Sequence, residues 1–300
     1  NNHYGQVDLT GSLNEARTLL YRLYSSVRDS ETFQDSSRAD RTAGRGSLTW
    51  LASSATTVTV ETEWLKDART FERGQPAAFD PLVLAQRADY QNQAPQIAQI
   101  LFPAEELFPL QYTIDETIPV ERRFTEPDDL IESERYGMAY ELDHEFTRSW
   151  KLHHALRGEV YERSGARADP TALSQTDNET ITRSQIVNTT RQANVAGRLE
   201  LRGEIGDSTL KHRPLVGISG SHNPDEIGTA TFGIDSINRR NPQYGSRAFF
   251  AIPNSLIEIE TDRRDDRGAA YGRFQLSIYE RVHLLAGARY DEILVQTRDP

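Results

Sequence analysis

Hydrophobic and polar residues alternate with a period of two along much of the chain, the pattern of strands with two unlike faces. From Tyr136 to Phe146 one face carries Tyr136, Met138, Tyr140, Leu142 and Phe146, and the other Gly137, Ala139, Glu141, Asp143 and Glu145. After Thr147-Arg148-Ser149 the pattern restarts. Trp150, Leu152, His154, Leu156, Gly158 and Val160 then oppose Lys151, His153, Arg157 and Glu159. So short a connection makes an antiparallel hairpin. The unit recurs at 4–13 with 18–28, 44–51 with 56–65, 195–202 with 210–220, and 270–279 with 282–290. The pattern therefore predicts about ten strands in five hairpins.

The links between hairpins differ in kind. Residues 30–41 form a modest one, whereas 71–133, 165–190 and 221–267 read as long polar loops rich in Asp, Asn, Gln, Pro and Arg. Long structureless loops count against a compact soluble domain. Short turns alternating with long loops are the plan of an outer-membrane barrel, with periplasmic turns and extracellular loops. The expected fold is thus all-β, a transmembrane antiparallel β-barrel. Trp50, Phe146, Trp150 and Tyr279 lie next to short turns and would form a periplasmic aromatic girdle. Tyr24, Trp64 and Tyr161 would form the outer one. The face opposite the lipid carries Arg157, Glu159, Arg198, Glu200, Arg202, Arg273 and Gln275, charges that a wet lumen or a polar plug accommodates and a dry core does not.

Composition sharpens this picture. Hydrophobic residues are 37% of the 300 and mean hydropathy is -0.64, which read alone suggests a soluble protein. No apolar run approaches the roughly 18–20 residues of a membrane helix, so a helical membrane protein is excluded. A barrel is not, because only one face of each strand meets lipid. The net charge of -11 argues against a nucleic-acid partner. The absence of cysteine excludes disulfides and thiolate metal sites. Asn1-Asn2-His3-Tyr4 is polar and strand-like, with no signal peptide. The expectation is an internal piece of a longer chain.

Particular segments resemble TonB-dependent ferric-siderophore receptors. Tyr4-Gly5-Gln6-Val7-Asp8-Leu9-Thr10-Gly11 with Leu20-Tyr21-Arg22-Leu23 is similar to their first barrel hairpin. Ser47-Leu48-Thr49-Trp50 with 57–64 resembles the next, and Phe71-Glu72-Arg73-Gly74-Gln75-Pro76 the loop motif after it. Ile118-Pro119-Val120 through Glu126-Pro127-Asp128-Asp129 matches the end of that loop. Asn241-Pro242-Gln243-Tyr244-Gly245 and 284–291 match later landmarks in the same order. The resemblance spans nearly the whole chain. It implies a barrel of roughly 22 strands around a plug domain, of which residues 1–300 would be about half, without plug, TonB box or C-terminal strands. It also implies uptake of a ferric siderophore across the outer membrane, driven by the TonB–ExbB–ExbD complex. The partners would then be the ferric siderophore, that complex and outer-membrane lipid, with no cofactor. Cobalamin, haem or a glycan as cargo, or a passive porin, are the alternatives.

Transport needs no catalytic residue, and no nucleophile–base arrangement stands out. His153 and His154 are adjacent on a strand and point to opposite faces, so they cannot share a metal ion; with His144 they read as structural. Asp262-Arg263-Arg264-Asp265-Asp266 lacks the pattern of a calcium loop and reads as solvated loop. Phe71, Arg73, Tyr90, Phe102, Phe108, Tyr112 and Tyr244 fall on the long loops, where aromatics and Arg could hold an anionic chelate. Phe71, Arg73 and Tyr244 are the leading ligand-binding residues, and each admits a second reading as loop architecture. Within 86–110, Ile97, Ile100, Leu101 and Phe102 sit near helical spacing, consistent with a short helix over the mouth or with packed loop.

Overall fold

Alternation becomes pairing in ten long strands. The computed structural model describes residues 2–71, 78–79, 81–93, 112–113, 118–119, 121–245, 247 and 259–298. The long strands are β1 (Asn2–Ser12), β2 (Leu19–Glu31), β3 (Arg38–Ser53), β4 (Thr56–Arg69), β7 (Leu130–Thr147), β8 (Trp150–Leu173), β9 (Thr180–Gly203), β11 (Leu210–Asn238), β12 (Ile259–Ile278) and β13 (Val282–Arg298). Each pairs antiparallel with the next, so the sheet order follows the chain order. A short β10 (Ile205–Gly206) pairs with β11, and β5 (Ala78–Phe79) pairs with β6 (Tyr112–Thr113) apart from the main sheet. Between β5 and β6 lies the helix α1 (Pro81–Gln93). Its first position is proline, where a missing N–H costs the helix nothing. Among the described residues the wall stays open, with β1 and β13 as its edges.

Register fixes which residues share a face. Val7, Leu9, Leu23, Leu48, Trp50, Val58, Val60, Tyr136, Met138, Leu142, Leu156, Val195, Leu199, Val216 and Ile218 fall on one side through pairs such as Leu9↔Leu23, Leu48↔Val60, Val60↔Tyr140 and Leu199↔Ile218. Many of these stand exposed, Met138 at 60% and Ile218 at 58%. An exposed apolar band so continuous is a lipid-facing surface. The opposite face pairs acid with base. Glu63 holds Arg45 at 3.0 Å and Arg157 at 3.4 Å, and Tyr271 donates to Glu200 at 2.7 Å.

The five expected turns are present, and they are tight. Asn14 Oδ1 accepts the N–H groups of Thr18 and Leu19 at 2.9 and 3.1 Å. At the three-residue β12–β13 turn, Tyr279 and Glu280 both adopt positive φ, 49° and 54°, and the Arg281 N–H donates to the Ile278 carbonyl at 3.0 Å, a reversal whose twist matches that of the flanking strands.

Two expectations are corrected. First, 165–190 and much of 221–267 are strand and not loop: β8 runs to Leu173, β9 starts at Thr180, and β11 runs to Asn238. Above the lipid both faces of the wall meet water or polar neighbours, so the alternation that reveals a strand disappears. Asp262 to Asp266 accordingly lie within β12, paired on both sides. Second, the outer girdle is Trp64 with its register partner Tyr136. Tyr24 pairs with Asp8 and Arg45, and Tyr161 with Arg135 and Gln192, on the lumenal face. The described helix, Pro81–Gln93, covers the first part of the 86–110 segment. Ile97, Ile100, Leu101 and Phe102 fall outside the described residues.

Candidate functional site

Where the extended strands end, residues 118, 119 and 121–129, which lead into β7, are drawn into a small core at the mouth of the wall. Ile118, Phe124, Leu173, Ile181 and Ile237 form its apolar centre, with Leu84 of α1 packed against it. Arg123, Thr125, Glu126 and Asp129 are buried beside it. A polar group taken out of water needs a partner, and each of these has one. Arg123 donates to Thr125 Oγ1 at 2.7 Å and to the Ser36 carbonyl at 2.9 Å, tying in the β2–β3 loop. Asp129 Oδ2 accepts the N–H groups of Glu126 and Ala168 at 2.9 and 2.7 Å, and Arg247 reaches its Oδ1 at 3.2 Å.

The deepest contact is ionic. Arg183 of β9 donates to Glu126 Oε1 at 2.6 Å, with neither side chain exposed. The remaining guanidinium face donates to the Asp235 carbonyl of β11 at 3.0 Å. Glu126 uses its second oxygen to accept the Gly245 N–H at 2.7 Å. The next residue back, Tyr244, donates its hydroxyl to the Arg123 carbonyl at 2.8 Å. Glu126 therefore links the loop before β7, strand β9 and the segment after β11. Burial pushes the Asp129 carboxyl up from the ordinary range, opposed by the Ala168 and Glu126 amides and by Arg247. Burial likewise raises the Tyr244 phenol.

The sequence-predicted residues take these places. Phe71 follows β4, and the Arg167 guanidinium of β8 lies 4.5 Å from its ring centroid, a cation–π contact. Tyr244 docks on Arg123, as above. Arg73, Phe102 and Phe108 lie outside the described residues. Tyr112 belongs to β6 and Tyr90 to α1. Phe71 and Tyr244 thus reach the same end of the wall, one after β4 and the other after β11. The sequence reading missed Arg183, whose strand looked like loop, and Arg247. Glu126 and Asp129 were visible as a landmark, without a partner.

Lower down, the lumenal face carries its own network. His153 Nδ1 lies 3.0 Å from Asp143 Oδ1, and Arg198 donates to His153 Nε2 at 3.2 Å. A ring nitrogen that accepts from Arg198 leaves Nδ1 as the one bearing hydrogen. His154 faces the other way and meets Tyr140. Among the described residues, no group of three or more His, Asp or Glu is placed to hold a metal ion. The arrangement is a charged face, largely paired acid to base, beneath a packed cluster of loop segments.

Comparison with known proteins gives the same picture. The family model for the β-barrel of TonB-dependent receptor-like proteins matches residues 85–299. The metal-pseudopaline receptor CntO of Pseudomonas aeruginosa is 24% identical over 239 residues, 79% of this chain and 28% of that protein. Among solved structures, the P. aeruginosa pyoverdine receptor FpvA superposes with a TM-score of 0.72 at 15% identity, over 100% of this chain and 40% of that one. The ferric preacinetobactin receptor BauA of Acinetobacter baumannii gives 0.68 at 12% identity, over 99% and 40%. The chain thus spans well under half the length of the relatives it matches.

Proposed function

The chain belongs to the TonB-dependent receptor-like β-barrel family, and from that premise we propose that it forms wall and mouth of a receptor importing a ferric siderophore. Its place is the outer membrane, in keeping with the lipid-facing band. The observation that carries the cargo reading is the latched mouth above a charged lumenal wall, together with relatives that are receptors for metal chelates. A bulky chelate needs a shaped vestibule, and loops fixed to the wall by a buried ion pair provide one. Phe71 just after β4, Tyr244 on the latch, and Arg73 are the proposed ligand contacts. Energy would come from the TonB–ExbB–ExbD complex acting through other parts of the receptor.

The CntO likeness favours one broader reading, in which the chelate carries a metal other than iron. Uptake by the full-length receptor in outer membranes separates these. Radioiron delivered as a ferric siderophore should accumulate, and collapse of the proton-motive force should abolish it. Accumulation of nickel, cobalt or zinc chelates but not ferric ones selects the broader cargo. Uptake indifferent to the proton-motive force sinks the energy-coupled reading.

A further inference from the structure

Residues 121–126 form a strap between two loops and are held differently on the two sides. Toward β9 and the segment after β11 the strap is sealed in. Arg123, Phe124, Thr125 and Glu126 are all buried. Glu126 carries the Arg183 ion pair and accepts the Gly245 N–H. Tyr244 donates to the Arg123 carbonyl, and Arg122 donates to the Arg240 carbonyl at 2.7 Å.

On the other side lies the β2–β3 loop, residues 32–37, which meets the strap through its backbone. The Asp35 N–H donates to the Glu121 carbonyl at 2.9 Å, and the Ser36 carbonyl accepts from Arg123 at 2.9 Å. Among the described residues, the hydrogen bonds of this loop to anything outside it run to Glu121 and Arg123. Thr32, Phe33, Asp35 and Ser36 stand exposed, Phe33 at 70%, and so does Glu121. The loop also closes on itself. The Thr32 N–H donates to the Ser37 carbonyl at 3.1 Å, and the Ser37 N–H donates to the Gln34 carbonyl at 3.2 Å. It can therefore move as one piece.

The two sides differ in what water can replace. A hydrogen bond at the surface is exchanged for one to solvent with little net loss. An ion pair sealed from water leaves isolated charges when it parts. The β2–β3 loop thus leaves the strap more easily than the strap leaves β9, whereas a strap that leaves takes away the seat of the loop. We propose that the β2–β3 loop is a flap seated on the strap, and that this end of the wall opens in two nested steps. The flap lifts alone; the strap lifts only with the flap. A small opening then exposes no buried charge. The device belongs to the wall itself, so it goes beyond the chelate-import reading and is tested without ligand.

The chain has no cysteine of its own, so nitroxide labels can be placed at will in the full-length receptor, with any cysteines elsewhere replaced. Exposed Thr189 of β9 serves as the fixed point. Phe33→Cys with Thr189→Cys follows the flap, and Glu121→Cys with Thr189→Cys follows the strap. Distances within each pair are measured by pulsed electron spin resonance in lipid vesicles. Ser36 holds φ at 56°, whereas proline is fixed at about −65°, so Ser36→Pro should unseat the flap. The 33–189 distribution should then shift and broaden, with the 121–189 distribution as in the parent. Arg183→Met should shift and broaden both. Glu126→Gln breaks the same ion pair and replaces Arg183→Met if that variant does not reach the membrane. A 33–189 distribution untouched by either substitution overturns the proposal, since the flap then has another seat. So does a Ser36→Pro variant in which the strap moves as far as the flap, which would make the two a single body.

Discussion

Arg183 and Glu126 meet at 2.6 Å with both side chains wholly sealed from solvent. They lie 57 positions apart and join a loop to a strand that it does not pair with. Removing one partner leaves the other charged and buried, at a cost of about 3–5 kcal/mol. Arg183→Met should therefore free the 118–129 segment from the wall, read as faster hydrogen exchange at the Gly245 amide and earlier proteolysis of the loops. Arg183→Met combined with Glu126→Leu should recover much of the loss, because the apolar pair leaves no isolated charge. Equal protection in Arg183→Met and the parent would show that the pair holds nothing.

The tip of the β8–β9 hairpin should respond to acid. The Thr180 hydroxyl, with the amides of Thr180 and Glu179, holds the Asp177 carboxyl well below the ordinary range. A carboxyl depressed by folding adds stability that is complete above its unfolded pKa of about 4 and is lost as pH falls through its folded value. Exchange of the 174–180 peptide, corrected for intrinsic rates, should rise below that point. Asp177→Ala should flatten the profile.

Asp129 has the opposite sign. Its carboxyl is raised by burial, so the folded form binds a proton more readily than the unfolded one. Local stability should decline as pH rises from about 4 through the folded value and then level off. Asp129→Asn keeps an acceptor for the Glu126 and Ala168 amides and should abolish that slope. A slope unchanged by the substitution would assign it to another group.

The two faces of β7 should tolerate charge differently. Met138 lies on the lipid face and Ala139 on the lumenal one. Met138→Arg, two residues inside the Trp64–Tyr136 girdle, should cost about 1–2 kcal/mol, between the cost at the midplane and that at the interface. Ala139→Arg should cost far less. Urea titration of the full-length receptor refolded into lipid vesicles measures both, and equal losses would contradict the face assignment.

Gly217 is required by its neighbour. A Cβ there would come within 2.6 Å of the Tyr271 ring, whose hydroxyl donates to Glu200. Gly217→Val should displace the ring and cost about 1–3 kcal/mol. Tyr271→Ala alone loses that hydrogen bond. In the double variant the steric part of the loss should vanish, giving a large non-additive term in a double-mutant cycle.

Strand number, hairpin partners and lipid-facing residues were legible in the sequence because lipid on one side and a polar passage on the other impose a period of two. Leu9, Leu48, Met138, Leu156 and Ile218 announce their face by that alternation alone. The legibility ended where the lipid ended. In β9, Thr180 to Thr190 is as much strand as Val195 to Arg202, yet polar surroundings on both faces erase the signal. Only the abundance of Thr, Ile and Val there hinted at extended structure.

Tyr24, Trp64 and Tyr161 show a finer limit, since nearness to a strand end does not tell which face an aromatic takes. Pairing register decides that, and a shift of one residue reverses it. Partnership across the fold was beyond the sequence altogether. Nothing local to Glu126 points to Arg183. The chain by itself determined that it would build a wall with a wet side and a lipid side, because each residue feels that environment directly. Tertiary structure alone decided which loop charges are buried together, because those contacts join residues that only the assembled sheet brings within reach.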